Sequence, residues 1–371
     1  MVEAKKIVRE IFSIVLSSCI MLGGLLSSSQ LYAVTIGSDT AVSRHTAQVT
    51  LGNGDRIAGF AAIEGGFKLS SSSVKATFDS FFGVTGDIEL QGGNLILGRD
   101  LIFRDVTNWK SFGDIAGDFH TLDLAPSMTC IPTIPVLTDT SYTFSNIAVF
   151  LSCNVTLKAP TLIFKGNCAL IGVGNCLTLD STTTVAVDIN STLLVKDIII
   201  KGVNDTKIQC LDSSSTITYQ DAELVLDGDY TFTKGHFDVV KDLHVVGDGY
   251  IFAYQSDQVS TISGCGRMIL DQGVTFSYDP PTTNRDLIKL VNSTAELMLN
   301  GATLHSTTTG MRLTKGTLVI YGRSYVSSEA TVEAEAISFG DGVSAANNLD
   351  IQWLPAANFE VLQGHVVYNN V

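Results

Sequence analysis

LVLDGDYTF (Leu224 to Phe232), MILDQGVTF (Met268 to Phe276) and LMLNGATLH (Leu297 to His305) are built to one plan. Each has an apolar-x-apolar triplet, a short polar corner and a second triplet. LVIYGRSYV (Leu318 to Val326) and LLVKDIIIK (Leu193 to Lys201) repeat it. Period-two alternation is the signature of a strand with one buried side. Asp227-Gly228 and Asn300-Gly301 fall at the corner, where a residue with positive φ costs least in glycine. Taken alone, such a pair also fits a two-residue β-hairpin.

The longer beat separates the two readings. First triplets begin at Val155, Leu177, Ile198, Leu224, Leu243, Met268, Leu297 and Leu318, spaced by 22, 21, 26, 19, 25, 29 and 21 residues. Further triplets fall within the gaps, as at Val185 and Leu193. Three short strands per repeat of twenty-odd residues is one coil of a parallel β-helix, whereas hairpins impose no three-strand beat. An upstream echo, GDFHTLDL (Gly117 to Leu124) against GVGNCLTL (Gly172 to Leu179), fits the same repeat. The expected fold is therefore all-β: a right-handed parallel β-helix with about three short strands per coil. Its inward Leu, Ile, Val and Phe should stack into continuous ladders, coil upon coil.

The chain divides accordingly. Residues 1–33 read as a signal sequence: Lys5, Lys6 and Arg9, then the apolar run Ile11 to Leu26, then small and polar residues to Ala33. That order is the secretory pattern, and sixteen residues are short for a membrane span of roughly 20. Cleavage after Ala33 is expected. An uncleaved anchor and a lipoprotein box ending at Cys19 are the alternatives, although the apolar run continues beyond that cysteine. Residues 34–146 form an N-terminal cap and first coils, with an irregular loop around Trp109, Pro126, Pro132 and Pro135. Residues 147–326 carry the regular coils, and residues 327–371 the C-terminal coils and cap. No later apolar run is long enough to span a membrane, and no barrel-like tail is visible. The mature chain is thus expected to be secreted or held at the cell envelope.

Composition narrows the function. The net charge is −14, and removing residues 1–33 leaves about −15. Counterion release at nucleic acid requires the opposite sign, so nucleic-acid binding is excluded. Charged residues make up only 16% of the chain against 45% hydrophobic, which suits an ordered strand-rich protein rather than a disordered one. Six cysteines follow the signal: Cys130, Cys153, Cys168, Cys176, Cys210 and Cys265. None forms a CxxC pair, so zinc and thioredoxin-type sites have no support. Cys153 lies two residues before its triplet and Cys176 one, so no bond between them is expected.

The coil spacing, and segments such as NSTLLVKDIIIKG (Asn190 to Gly202), resemble right-handed parallel β-helix proteins of the pectate-lyase-like type. Within that group they resemble bacterial surface adhesins and passenger domains. The resemblance implies an exported surface protein. It also requires a search for chemistry, because some proteins of this architecture cleave polysaccharides. The polygalacturonase-like branch carries Asn-x-Asp, Asp-Asp, Gly-His-Gly and Arg-x-Lys. Here Asp-Asp is absent, while Gly235-His236 and Gly364-His365 lack the third residue. Paired-carboxylate hydrolysis needs two acids at a fixed separation on one surface. The nearest candidates are Asp227, Asp229, Asp238, Asp242 and Asp248 with His236 and His244; a lyase of this fold would also want a basic residue, and Arg267 and Lys241 are too isolated to nominate. Corner acids beside glycine are ordinarily turn formers. Gly247-Asp248-Gly249 and Gly340-Asp341-Gly342 stand singly, whereas a calcium-binding solenoid repeats its motif in tandem. The reading is an exported, non-enzymatic structural or adhesive β-helix with no catalytic, cofactor-binding or metal residues assigned. Surface glycans, or host or cell-envelope proteins, are the expected partners. A carbohydrate-active enzyme or a carbohydrate-binding module on the same fold is the alternative.

Overall fold

The computed structural model describes residues 33–38, 40–102, 108–111, 113–118, 120–124, 141–157, 161–271, 273–332 and 336–371. The expected signal sequence up to residue 32, Cys19 within it, and Cys130 lie outside these residues. The chain is a parallel β-solenoid of about 12 turns with almost no helix. Three faces recur. The first includes Ser141–Ser145, Thr161–Lys165 and Thr184–Val187; the second, Ala148–Leu151 and Asn167–Ile171; the third, Val155–Leu157 and Cys176–Leu179. Each strand pairs in parallel with its counterpart one coil away. The expected hairpin alternative is excluded at its critical point. Leu224 lies opposite Val245 and Tyr230 opposite Phe252, both in parallel register, so the two triplets of LVLDGDYTF occupy different faces.

The third face shows why these residues make these strands. Val155, Leu177, Ile200, Leu224, Val245, Leu270, Leu299 and Ile320 follow one another coil by coil and are all buried. Each is worth roughly 1.5–3 kcal/mol of burial, while its neighbours in sequence, the buried Val319 apart, lie on the outer side. The first face packs rings instead. Phe232, Tyr254 and Tyr278 stack at centroid distances of 6.0 and 6.2 Å, beside Tyr230, Phe252 and Phe276 at 4.9 and 5.3 Å. The hydroxyls of Tyr254 and Tyr278 donate to the carbonyls of Gln258 and Asn284. The rings thereby anchor the loops that lead from the first face to the second.

Three expectations need correction. The partner of Leu177 is Ile200, not Ile198, and Leu243 lies opposite Ala222, not Leu224. Thr192–Asp205 and Thr216–Phe232 run through a corner without a break, so each offers three inward residues there, Ile198, Ile200 and Val203 in one and Ala222, Leu224 and Leu226 in the other. A slip of two residues keeps every side chain on its own side, and an apolar pattern alone does not detect it. The echo of GDFHTLDL on GVGNCLTL joins different faces. Leu122 stands between Leu101 and Val149 on the second, Leu177 between Val155 and Ile200 on the third. Finally, Gly301 has φ +68°, as its corner requires, but Gly228 is not in the left-handed region. Glycine is needed there because a Cβ would sit 2.9 Å from that of Asn204 on the coil below.

The ladders also cross segments where the sequence beat falters. Ile115 stacks between Leu95 and Phe144. At the other end Leu318 pairs with Ile351, Ser324 with Phe359 and Ile337 with Val366. Cys153, Cys168, Cys176, Cys210 and Cys265 are free thiols. Cys176 falls opposite Asn154, whose Oδ1 accepts its backbone N–H at 2.8 Å, so the register sets Cys153 and Cys176 out of line. Burial pushes the Cys168 thiol up, and that of Cys210 to about 12.

Candidate functional site

The bend between the second and third faces gathers the charged residues. At Asp197 (φ 48°) and Asp221 (φ 53°) the chain turns in the left-handed conformation, which aspartate tolerates better than most residues. The flanking registers, Ile198 on Ala222 and Ala222 on Leu243, set Asp197, Asp221 and Asp242 one above another. Arg267 and Glu296 continue the row in the next two coils. A second outward row runs Ile199, Glu223, His244, Ile269. Coils repeat at about 4.8 Å, so charged side chains in a row meet their neighbours above and below.

Between these rows lies an open groove of about 550 Å³, with Ile198, Ile199 and Ala222 at its apolar floor and Asp221, Glu223, Asp242 and His244 on its walls. A second groove of about 600 Å³ adjoins it through Asp221 and Asp242, and adds Lys241, Cys265, Arg267 and Glu296. The charges are engaged with one another. Arg267 forks onto Asp242, its Nε donating to Oδ1 at 2.9 Å and its second terminal nitrogen to Oδ2. That carboxylate pushes the guanidinium further above its ordinary range. Lys241 Nζ lies 3.2 Å from Asp221. His244 sits between two acids, with Nε2 2.8 Å from Asp271 and Nδ1 3.9 Å from Glu223. The second oxygen of Asp271 accepts from Asn300 at 2.5 Å.

The sequence candidates divide between this bend and other places. Asp242 and His244 come together in the groove, and Lys241 and Arg267, too isolated in the sequence to nominate, join them there. Asp227 accepts from Asn204 at 2.5 Å, and Asp229 from the backbone N–H of Ile251 at 2.9 Å, both at the opposite bend, where Asp248 also lies. Asp238 accepts from Thr261 at 2.6 Å and His236 meets Thr216 at 3.0 Å, both on the second face. His365 lies next to the final strand, Val366–Tyr368. Asp197, Asp221, Glu223, Asp271 and Glu296 were not singled out from sequence. The offset of 21 residues that links Asp221 to Asp242 also links Glu223 to His244, and would have exposed them.

The fork of Arg267 on Asp242 is one of a series. Arg312 forks onto Asp286 one coil away, and Arg323 onto Glu360 at 3.0 and 3.2 Å. Bidentate guanidinium–carboxylate pairs combine strength with fixed geometry. Here they tie successive coils together on the outside of the rod. Among the described residues no group of His, Cys, Asp and Glu side chains converges as a metal-binding set, and no helix is long and apolar enough to cross a membrane. No protein-family model, curated protein or solved structure matches the chain.

Proposed function

We propose that this chain is an exported, non-enzymatic β-solenoid that serves as a structural or adhesive element at the cell surface. Its partners are surface glycans or host or cell-envelope proteins. The observation that supports this most is the engagement of the groove acids. Asp221, Asp242 and Asp271 each hold a basic or amide side chain of an adjacent coil. Hydrolysis by paired carboxylates uses an acid and a second carboxylate that face substrate, not clamps between coils.

The test has two arms. N-terminal sequencing of the protein recovered from the envelope or medium should begin at Val34, and intact cells of the source should bind added full-length protein. Recovery of all the protein from the cytosol with its first residues intact would remove the export reading. A second reading, carbohydrate cleavage, draws on the openness of the groove and on the run Glu223–His244–Asp271. Pectin, alginate and host-type glycans should remain intact with the protein, with or without calcium. Release of oligosaccharide that Glu223→Gln abolishes would promote the enzyme instead.

A further inference from the structure

The two ends of the rod are finished differently. At one, Ser43–His45 sets Ser43 and His45 opposite the buried Ala61 and Ile63, so polar side chains take inward positions. They meet each other, Ser43 Oγ to His45 Nε2, at 3.2 Å. No inward residue described in that coil is exposed, Ile36, Val49 and Leu51 included. The coil at the other end consists of Asp350–Trp353, Asn358–Gln363 and Val366–Tyr368. Each of these strands pairs on one side only, with Thr317–Tyr321, Arg323–Ser328 and Ile337–Phe339. Its inward positions are apolar. Trp353 lies opposite Ile320, Val361 opposite Val326 and Tyr368 opposite Phe339, and those three partners are buried. One coil further on, Trp353, Val361 and Tyr368 are 55%, 53% and 59% exposed. Repeat proteins ordinarily close such an end with a polar coil. Here the bore is open, and the strand edges around it have no ladder partner.

We propose that this end docks onto the same end of a second copy of the chain, about a two-fold axis perpendicular to the rod. Such an axis runs the facing coils in opposite directions, so their strand edges meet antiparallel and complete each other's backbone hydrogen bonds. It also sets bore against bore, with Trp353, Val361 and Tyr368 of both copies in one core. Three observations select a second copy. The first is charge. The chain carries −14, yet the three edge strands hold only Asp350 and Glu360, and Arg323 forks onto the latter. Two such ends meet with little like-charge repulsion and offer little to a basic partner. The second is area. Trp353, Tyr368, Val361, Leu362 and Val371 expose roughly 400 Å² of side chain, taking about 200 Å² for a ring residue and about 100 Å² for an aliphatic one. A stable interface takes about 800 Å² from each partner, a little over half of it apolar, and this end supplies that share. The third is the polar opposite end, which presents no matching bore for head-to-tail stacking into fibres.

Sedimentation of the full-length protein across the micromolar range should show a monomer passing into a dimer and no larger species. X-ray scattering should give the dimer about twice the monomer's length, which is roughly 60 Å for about 12 turns at about 4.8 Å each. Trp353→Lys and Val361→Lys should each raise the dissociation constant at least tenfold, with the far-UV circular dichroism unchanged. Val42→Lys, at an exposed position of the polar end, should leave it as it was. Hydrogen exchange of the unaltered protein needs no variant to fold. Amides of Asn358–Gln363 and Val366–Tyr368 should slow as concentration rises, while those of Val49–Leu51 should not. A protein that stays monomeric throughout overturns the proposal. So do a dimer no longer than the monomer, association that survives both lysine variants, and oligomers that keep growing with concentration.

Discussion

Asp242 and Arg267 occupy the same rung on adjacent coils, and the guanidinium grips both carboxylate oxygens. Each side chain is about two-fifths exposed, 37% and 43%. Screening then limits the pair to no more than about 1 kcal/mol. Arg267→Ala and Asp242→Ala should each lower stability by that amount or less in urea titrations. The double variant should lose less than the sum. In 1 M salt, where the Debye length is about 3 Å, the coupling should vanish. A loss of several kcal/mol from either variant would show that the fork is not a surface clamp.

The bore behaves differently. Phe252 is buried between the rings of Tyr230 and Phe276. Phe252→Ala should cost about 3–5 kcal/mol, against roughly 0.5 kcal/mol or less for Thr231→Ala on the outer side of the same face. Because a solenoid's stability is a sum over neighbouring coils, the loss should concentrate in hydrogen exchange of adjacent coils, with distant coils little affected. Equal costs at the two positions would contradict the inward and outward assignment.

Much of this was legible in the sequence, for a physical reason. Alternation of period two reports which side of a strand is buried, so LLVKDIIIK was readable as triplet, corner, triplet. Its corner is where Asp197 turns the chain. Met268 on Leu297 and Leu297 on Leu318 were readable because their corners hold glycine. Register was not fully legible where Thr192–Asp205 turns without a break, since a shift of two residues leaves the pattern intact. The groove followed the same rule. Asp242 and His244 stood out beside other acids, but Asp221, Glu223 and Asp271 gain their meaning only from the coil above or below.

Asp227 and His236, prominent as motif fragments, lie away from the charged groove. Asp227 accepts from Asn204, and His236 meets Thr216, each on a neighbouring coil. Asp227→Asn and His236→Ala should therefore leave cell and glycan binding unchanged. A tenfold fall in binding by either variant, with melting temperature preserved, would place a functional surface where none has been assigned.

The buried tyrosines predict the response to alkali. Burial pushes the Tyr254 hydroxyl up to about 12, raises those of Tyr142, Tyr219 and Tyr278 as well, and raises that of Tyr230 well above the ordinary range. The folded bore holds the neutral phenol, and an unfolded tyrosine ionises near 10. Between those values the unfolded chain binds fewer protons than the folded one, so stability falls as pH rises. The contribution is fully present below about pH 10. It is lost as pH climbs through 12, at about 1.4 kcal/mol per tyrosine for each unit. The Cys210 thiol, pushed up to about 12 from an ordinary value of 9.0, starts the decline about a unit earlier. Tyrosinate absorbance should therefore rise in two stages: the exposed phenols near pH 10, then the buried group together with collapse of the far-UV signal. Smooth ionisation of all ten tyrosines near pH 10 with the β signal intact would show that the rings do not line a closed bore.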